Sequence, residues 1–149
     1  MPCPPPPPSS SPPPAPGPDA DPVGGLYRIL GESTLRELVA AFYRRVRADD
    51  LIGPMYPPQD WAAAERRLAD FLIQRFGGPT AYSDRRGHPR LRMRHAPFPI
   101  TPDAAQRWLE LMHQSQREVG IPEDVGELLG LFFRQVALHM INRPPEAAG

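Results

Sequence analysis

A chain of 149 residues with 17 basic side chains, 17 acidic ones and zero formal net charge has room for one domain and lacks the basic excess of a nucleic-acid binder. Its single cysteine, Cys3, excludes an internal disulfide, and no apolar run reaches the ~18 residues of a membrane span. The N-terminus has no apolar stretch of the signal-peptide kind, so the expected location is cytoplasmic. All 17 basic residues are arginine, which reads as a compositional bias rather than a functional one.

Residues 1–22 hold 12 of the 23 prolines. Such a stretch cannot bury a core and favours extended polyproline conformations. It reads as a disordered tail; a docking segment for a proline-recognising partner is the competing reading. The remaining ~125 residues are enough to bury a core without a covalent staple.

From Leu26 the apolar residues follow a helical period. Leu35, Leu38, Val39, Phe42, Tyr43 and Val46 share one face. Ser33 or Thr34 is placed to cap that helix, and Glu37 completes a capping box with Thr34. Gly53-Pro54 and Pro57-Pro58 break the chain. Asp60 is placed to cap a second helix carrying Trp61, Ala64, Leu68, Phe71, Leu72 and Phe76, which Gly77-Gly78-Pro79 ends. Thr80 to Ile100 is polar, basic and broken by Gly87, Pro89, Pro97 and Pro99, with room for at most a short helix near Arg90–His95. An irregular segment of this length inside a compact domain often serves a function.

Thr101-Pro102-Asp103 opens the third helix with a cap, a first-turn proline and an acid at the positive helix end. Trp108, Leu111, Met112, Ser115 and Val119 follow, and Gly120 closes it. Pro122 opens the last helix, with Val125, Leu128, Leu129, Phe132, Phe133, Val136 and Met140 expected inward, and Asn142-Arg143-Pro144 ends it. No segment alternates as a strand. The fold class is all-α, with about four substantial helices.

The chain shows no glycine-rich phosphate loop, no serine or cysteine nucleophile motif and no cysteine-based metal site. Its carboxylates are scattered over solvent faces, so a hydrolytic acid pair is unsupported. Histidine is more informative. His113 lies mid-helix and reads as a surface or packing residue. His139 sits where a helix dipole favours a cation, and His88 precedes a proline in the basic loop. His95 ends the turn Arg90-Leu91-Arg92-Met93-Arg94, and Ala96-Pro97 stops any helix after it. Position alone leaves two readings of His95, metal ligand or ordinary polar residue. The arginines around it are compatible with a solvated loop or with a carboxylate-bearing partner. A nucleic-acid patch fits less well, for want of interleaved aromatics.

The run Arg86-Gly87-His88-Pro89-Arg90-Leu91-Arg92-Met93-Arg94-His95-Ala96-Pro97-Phe98 resembles the proximal segment of the group II truncated haemoglobins. Phe42-Tyr43, Met55-Tyr56-Pro57, Gly77-Gly78-Pro79 with Tyr82-Ser83, and Trp108-Leu109 agree with that family in order and spacing. The resemblance runs from about Leu26 to Pro144. It implies a truncated globin, a two-over-two helical sandwich around haem, with residues 1–22 as a tail, 23–145 as the globin domain and 146–149 as a short C-terminal tail. The family pattern often has two glycines before the first long helix. This sequence has Gly31-Glu32, which predicts a less sharp turn.

Carried over residue by residue, the resemblance makes His95 the iron ligand of haem b (iron protoporphyrin IX). Tyr43, Tyr56 and Trp108 match the polar residues facing a bound ligand, and Ala64 and Leu68 the distal-helix positions. Arg67, Tyr82, Arg94 and His88 are candidates for the haem propionates. The implied ligands are oxygen, carbon monoxide and nitric oxide, bound reversibly at ferrous iron, with slow oxygen release from several hydrogen-bond donors. Two alternatives stand beside it. One is a haem oxidoreductase acting as a nitric oxide dioxygenase or peroxidase, ranked second because Ala64 supplies no distal base. The other is a haem-free helical interaction module. The resemblance leaves a reductase partner and a homodimer open.

Overall fold

The computed structural model describes residues 21–80, 95 and 100–143. Among them are four α-helices and no strand: α1 (Leu26–Arg47), α2 (Trp61–Arg75), α3 (Pro102–Glu118) and α4 (Glu123–Met140). Two 3-10 turns, Gly53–Met55 and Pro58–Asp60, carry the chain from α1 to α2 where the sequence places its proline breaks. The all-α class is therefore the one that forms. The proline-rich residues 1–20, the basic stretch 81–94 and the end 144–149 lie outside the described residues.

Helical backbone begins at Leu26, ahead of the expected start at Ser33 or Thr34. Gly31 interrupts it with φ 81° and ψ 162°, a conformation that favours glycine because it has no Cβ. One glycine thus makes the sharp turn that the single-glycine pattern was expected to soften. Beyond it, Leu35, Leu38, Val39, Phe42 and Val46 are fully buried along one face. Asp60 stands at the N-terminal boundary of α2 but makes no side-chain cap. Its φ of −107° and ψ of 8° depart from the extended backbone from which a cap folds back, and its carboxylate meets Arg67 Nη2 at 2.5 Å instead. Thr101 does cap α3, its Oγ1 accepting from the Ala104 N–H at 3.1 Å.

Both glycine stops work as left-handed caps. After α2, the Gly77 N–H donates to the Gln74 carbonyl and the Gly78 N–H to the Ile73 carbonyl, at 3.1 and 2.8 Å. After α3, Gly120 and Ile121 repeat the pattern onto Arg117 and Gln116, at 3.2 and 3.1 Å. These are Schellman motifs, closed by Gly77 at φ 100° and Gly120 at φ 75°.

α1 packs on α2 in one layer, α3 packs on α4 in the other, and α1 against α3 joins them. Ion pairs tie the helices at the surface. Arg36 on α1 reaches Asp70 on α2 at 3.2 Å, and Arg45 on α1 reaches Glu118 on α3 at 2.8 Å, with Arg44 on the same carboxylate. Inside, neighbouring rings form a chain from Tyr56 through Tyr43, Phe42, Trp108, Phe133 and Phe132 to Phe76, with centroids 5.0–5.7 Å apart. Contacts of this kind contribute roughly 0.5–1.5 kcal/mol each beyond burial. Leu128 departs from the expected core face. It is 36% exposed, and α4 turns Val125, Leu129, Phe132, Phe133, Ala137 and Met140 inward instead.

Candidate functional site

A cavity of about 360 Å³ opens where α1, α2, α3, α4 and the 3-10 turns converge, a size typical of small-molecule sites. Leu68, Phe71, Leu72, Ala104, Phe133 and Val136 supply much of its apolar wall. Seven predicted site residues line it: Tyr43, Tyr56, Ala64, Arg67, Leu68, His95 and Trp108. They come from segments far apart in sequence, so only the folded chain brings them together. Tyr82, Arg94 and His88 lie outside the described residues.

Each side chain is held by its element. Tyr43 is on the inward face of α1 and 5% exposed. Tyr56 follows the first 3-10 turn, with φ −99° and ψ 135° swinging it out of that turn. It stacks on Trp61, with centroids 5.2 Å apart and planes at 24°. Arg47 lies over the Trp61 ring at 5.2 Å. Trp108 is gripped edge-on by Phe42 at 5.0 Å and Phe133 at 5.4 Å.

Tyr43, Tyr56 and Trp108 stand together on the cavity wall, with the Tyr43 and Tyr56 rings edge to face at 5.7 Å. The Tyr43 and Tyr56 hydroxyls act on one another electrostatically, and the Trp108 indole, which can only donate, lies close enough to influence Tyr56. Burial above all pushes the Tyr43 hydroxyl far above the ordinary phenol range, and Tyr56 beside it adds to the rise. Burial also raises Tyr56, partly offset by the donors from Tyr43 and Trp108 that would favour its phenolate. Both phenols therefore stay protonated at neutral pH.

Two other polar features reach the cavity. Arg67, half-buried on α2, holds the Asp60 carboxylate, and both residues line it. His95 is in helical conformation and lines it as well. The His95 backbone carbonyl accepts from Asn142 Nδ2 at 3.2 Å. Asn142 Oδ1 accepts from the Ile100 N–H at 2.9 Å, while the Ile100 carbonyl accepts from the backbone N–H of Asn142 at 3.0 Å and of Arg143 at 3.2 Å.

Sequence reasoning assigned Asn142 only the role of ending α4. Its partners are 42 and 47 residues away, so no local signal marks it. Asp60 and Phe132 also reach the cavity without being singled out for it, because their sequence contexts already suited a cap and a core helix.

The donor set suits one kind of group. An apolar slot with an imidazole on its wall, hydroxyl and indole donors clustered together, and a guanidinium–carboxylate pair matches a large flat apolar molecule with anionic edges that binds a small polar ligand. Haem has that chemistry, and an imidazole such as that of His95 would hold its iron.

The bacterial-like globin family matches residues 25–142. The group 2 truncated hemoglobin YjbI of Bacillus subtilis is 39% identical over 117 residues, covering 78% of this chain and 88% of that protein. The crystal structure of the group II truncated hemoglobin from Bacillus anthracis superposes with a TM-score of 0.78 at 35% identity, covering 82% of this chain and 94% of that one. The X-ray structure of the truncated oxygen-avid haemoglobin from Bacillus subtilis gives 0.75 at 40% identity, covering 78% and 98%. A four-helix sandwich built around an apolar cavity, with this likeness over nearly its whole described length, makes the chain a member of the bacterial-like globin family and, within it, a group II truncated haemoglobin.

Proposed function

We propose that this globin binds haem b through His95, holds oxygen and other diatomic ligands reversibly at ferrous iron, and releases oxygen slowly. The observation that carries the reading is the Tyr43–Tyr56–Trp108 group on the wall of the same cavity that His95 lines. Haem, if bound, would be held by His95 and would supply an iron able to take up a diatomic ligand.

The chain's own residues do the rest. Asn142 ties down the backbone at His95 through its carbonyl. Arg67 offers its guanidinium to propionate oxygens, a pairing that is directed and charge-assisted. The Tyr43 and Tyr56 hydroxyls and the Trp108 N–H are the donors on the cavity wall available to a bound ligand. A single neutral donor contributes about 0.5–1.5 kcal/mol, and each ~1.4 kcal/mol changes an equilibrium tenfold. Most of that difference should fall on release rather than capture. The oxygen-avid name of one Bacillus subtilis relative supports the same expectation here.

Ala64 is 6% exposed and contributes a methyl group where a peroxidase would benefit from a base. This favours ligand holding over oxidoreductase chemistry on nitric oxide or peroxide. The test is the visible spectrum of the reduced protein with carbon monoxide, followed by stopped-flow oxygen release. A Soret band and slow release are expected, and His95→Gly should weaken haem retention. Absence of a Soret band with haem supplied would reject the reading. Multiple turnovers with nitric oxide and a reductant would move the protein to the enzyme class.

A further inference from the structure

A second groove, of about 480 Å³, runs between α3 and α4. Leu109, Met112 and Phe133 line it among others, and no carboxylate does among the described residues. Gly130 on α4 lines it too, and a Cβ added there would meet nothing within 4 Å. Glycine weakens a helix interior relative to alanine, so packing within the chain gives no reason for this one. The space it leaves belongs to the groove.

Three polar side chains line the groove without a partner. Gln116 is 5% exposed, and its side-chain amide has no hydrogen bond among the described residues. No fully enclosed side-chain polar atom among those residues lacks a partner, so the amide opens into the groove. Arg134 and His113 are exposed, and neither has a hydrogen bond or an ion pair among the described residues. The two helices run antiparallel. Gln116 is level with Gly126, where an added Cβ would stand 3.7 Å from Gln116 Oε1, and Trp108 is level with Phe133. At a rise of ~1.5 Å per residue, His113 then lies about 8 Å along the groove from Arg134, and Gln116 about 5 Å further on. On the other side of Arg134 the lining is largely apolar, with Ala105, Leu138 and Ile141.

We propose that this groove is a second ligand site, which takes a small carboxylic acid with an apolar body. The carboxylate lies between Arg134 and His113, a charge-assisted contact, with the Gln116 amide beside it as a further donor. The body lies along Ala105, Leu138 and Ile141. The groove shares a wall with the cavity that His95 lines: Ala105 and Phe133 line both, and Phe133 packs on Trp108 with ring centroids 5.4 Å apart. An occupant pressing on Phe133 therefore acts on the donor wall, which makes the acid an effector of oxygen release. The effector role rests on the haem-binding reading; uptake in the groove does not.

The experiment is a calorimetric titration of octanoate, from ~10 μM to ~10 mM, into the full-length haem-loaded protein with carbon monoxide bound, so that the carboxylate has no access to the iron. One saturable site is expected, with octanol at least about tenfold weaker. Arg134→Gln should weaken octanoate about tenfold, and Gly130→Leu, which fills the groove, should abolish its uptake. Neither residue lines the haem cavity, so visible spectra should not change. Saturating octanoate should change the oxygen release rate about twofold or more in the parent chain and not in Gly130→Leu. Absence of saturable uptake overturns the proposal, including the case in which another part of the chain or a second copy already fills the groove. Uptake indifferent to both substitutions, or octanol bound as tightly, overturns it as well. Uptake with an unchanged release rate overturns the effector role alone. A chain that takes up no haem rejects the haem-binding reading, and the same substitutions still decide the groove.

Discussion

Asn142, two residues past the end of α4, donates its side-chain amide to the backbone carbonyl of His95 at 3.2 Å. The same side chain accepts from Ile100, so one residue joins the His95 segment, the start of α3 and the end of α4. The predicted effect of Asn142→Ala is twofold. Losing one partly buried and one exposed hydrogen bond should cost about 1–2 kcal/mol and lower the Tm by a few degrees. Haem transfer to an acceptor apoglobin should be faster, because the His95 backbone is no longer tethered. Calorimetry and a haem-transfer assay check the two effects separately. An unchanged transfer rate would confine Asn142 to stability.

Trp108→Phe keeps an aromatic ring between Phe42 and Phe133 but removes the indole N–H on the cavity wall. Oxygen dissociation should accelerate about tenfold, in line with the loss of ~1.4 kcal/mol, with the association rate little changed. Stopped-flow mixing with carbon monoxide measures both rates. Equal dissociation rates would make the indole a packing residue only.

The buried phenols predict a pH dependence with a definite sign. Burial raises Tyr43 and Tyr56 above the ordinary phenol value near 10. Their native states therefore hold protons that the unfolded chain releases. The resulting stabilisation is fully present below pH ~10 and is lost as pH rises beyond it toward the native-state values. An absorbance titration of tyrosinate should show the Tyr43 and Tyr56 contributions missing near pH 10–10.5, appearing only with unfolding. Tyr43→Phe should remove one delayed component.

The two glycine stops should respond differently to alanine. At Gly77 a Cβ would stand 2.2 Å from the Gly24 carbonyl oxygen, in addition to the strain of φ 100°. At Gly120 a Cβ meets nothing within 4 Å, leaving only the strain of φ 75°. Gly120→Ala should cost about 1 kcal/mol and Gly77→Ala several times that, since the clash is with backbone that must move. Denaturant unfolding of both variants gives the comparison.

Local chemistry along the chain sets the elements and most of their ends. The apolar period from Leu35 to Val46, the Thr101 cap and the glycines at 77 and 120 are local signals, and local backbone chemistry governs them. The motif around His95, with Tyr43, Tyr56 and Trp108 at family spacing, also marked residues that prove to share one cavity. Tertiary structure decided what those side chains do there. Asp60 had the residue type of a cap, but its backbone conformation and the reach of Arg67 gave the carboxylate to an ion pair. Leu128 had the period of a core residue, but the direction from which α3 approaches left it outside. Asn142 showed nothing locally, because its partners are brought to it only when the helices pack. Tyr43, Tyr56 and Trp108 were read from sequence as three separate donors. Packing gathers them on one wall, since α1, α3 and the turn between α1 and α2 must meet before the three side chains share a cavity.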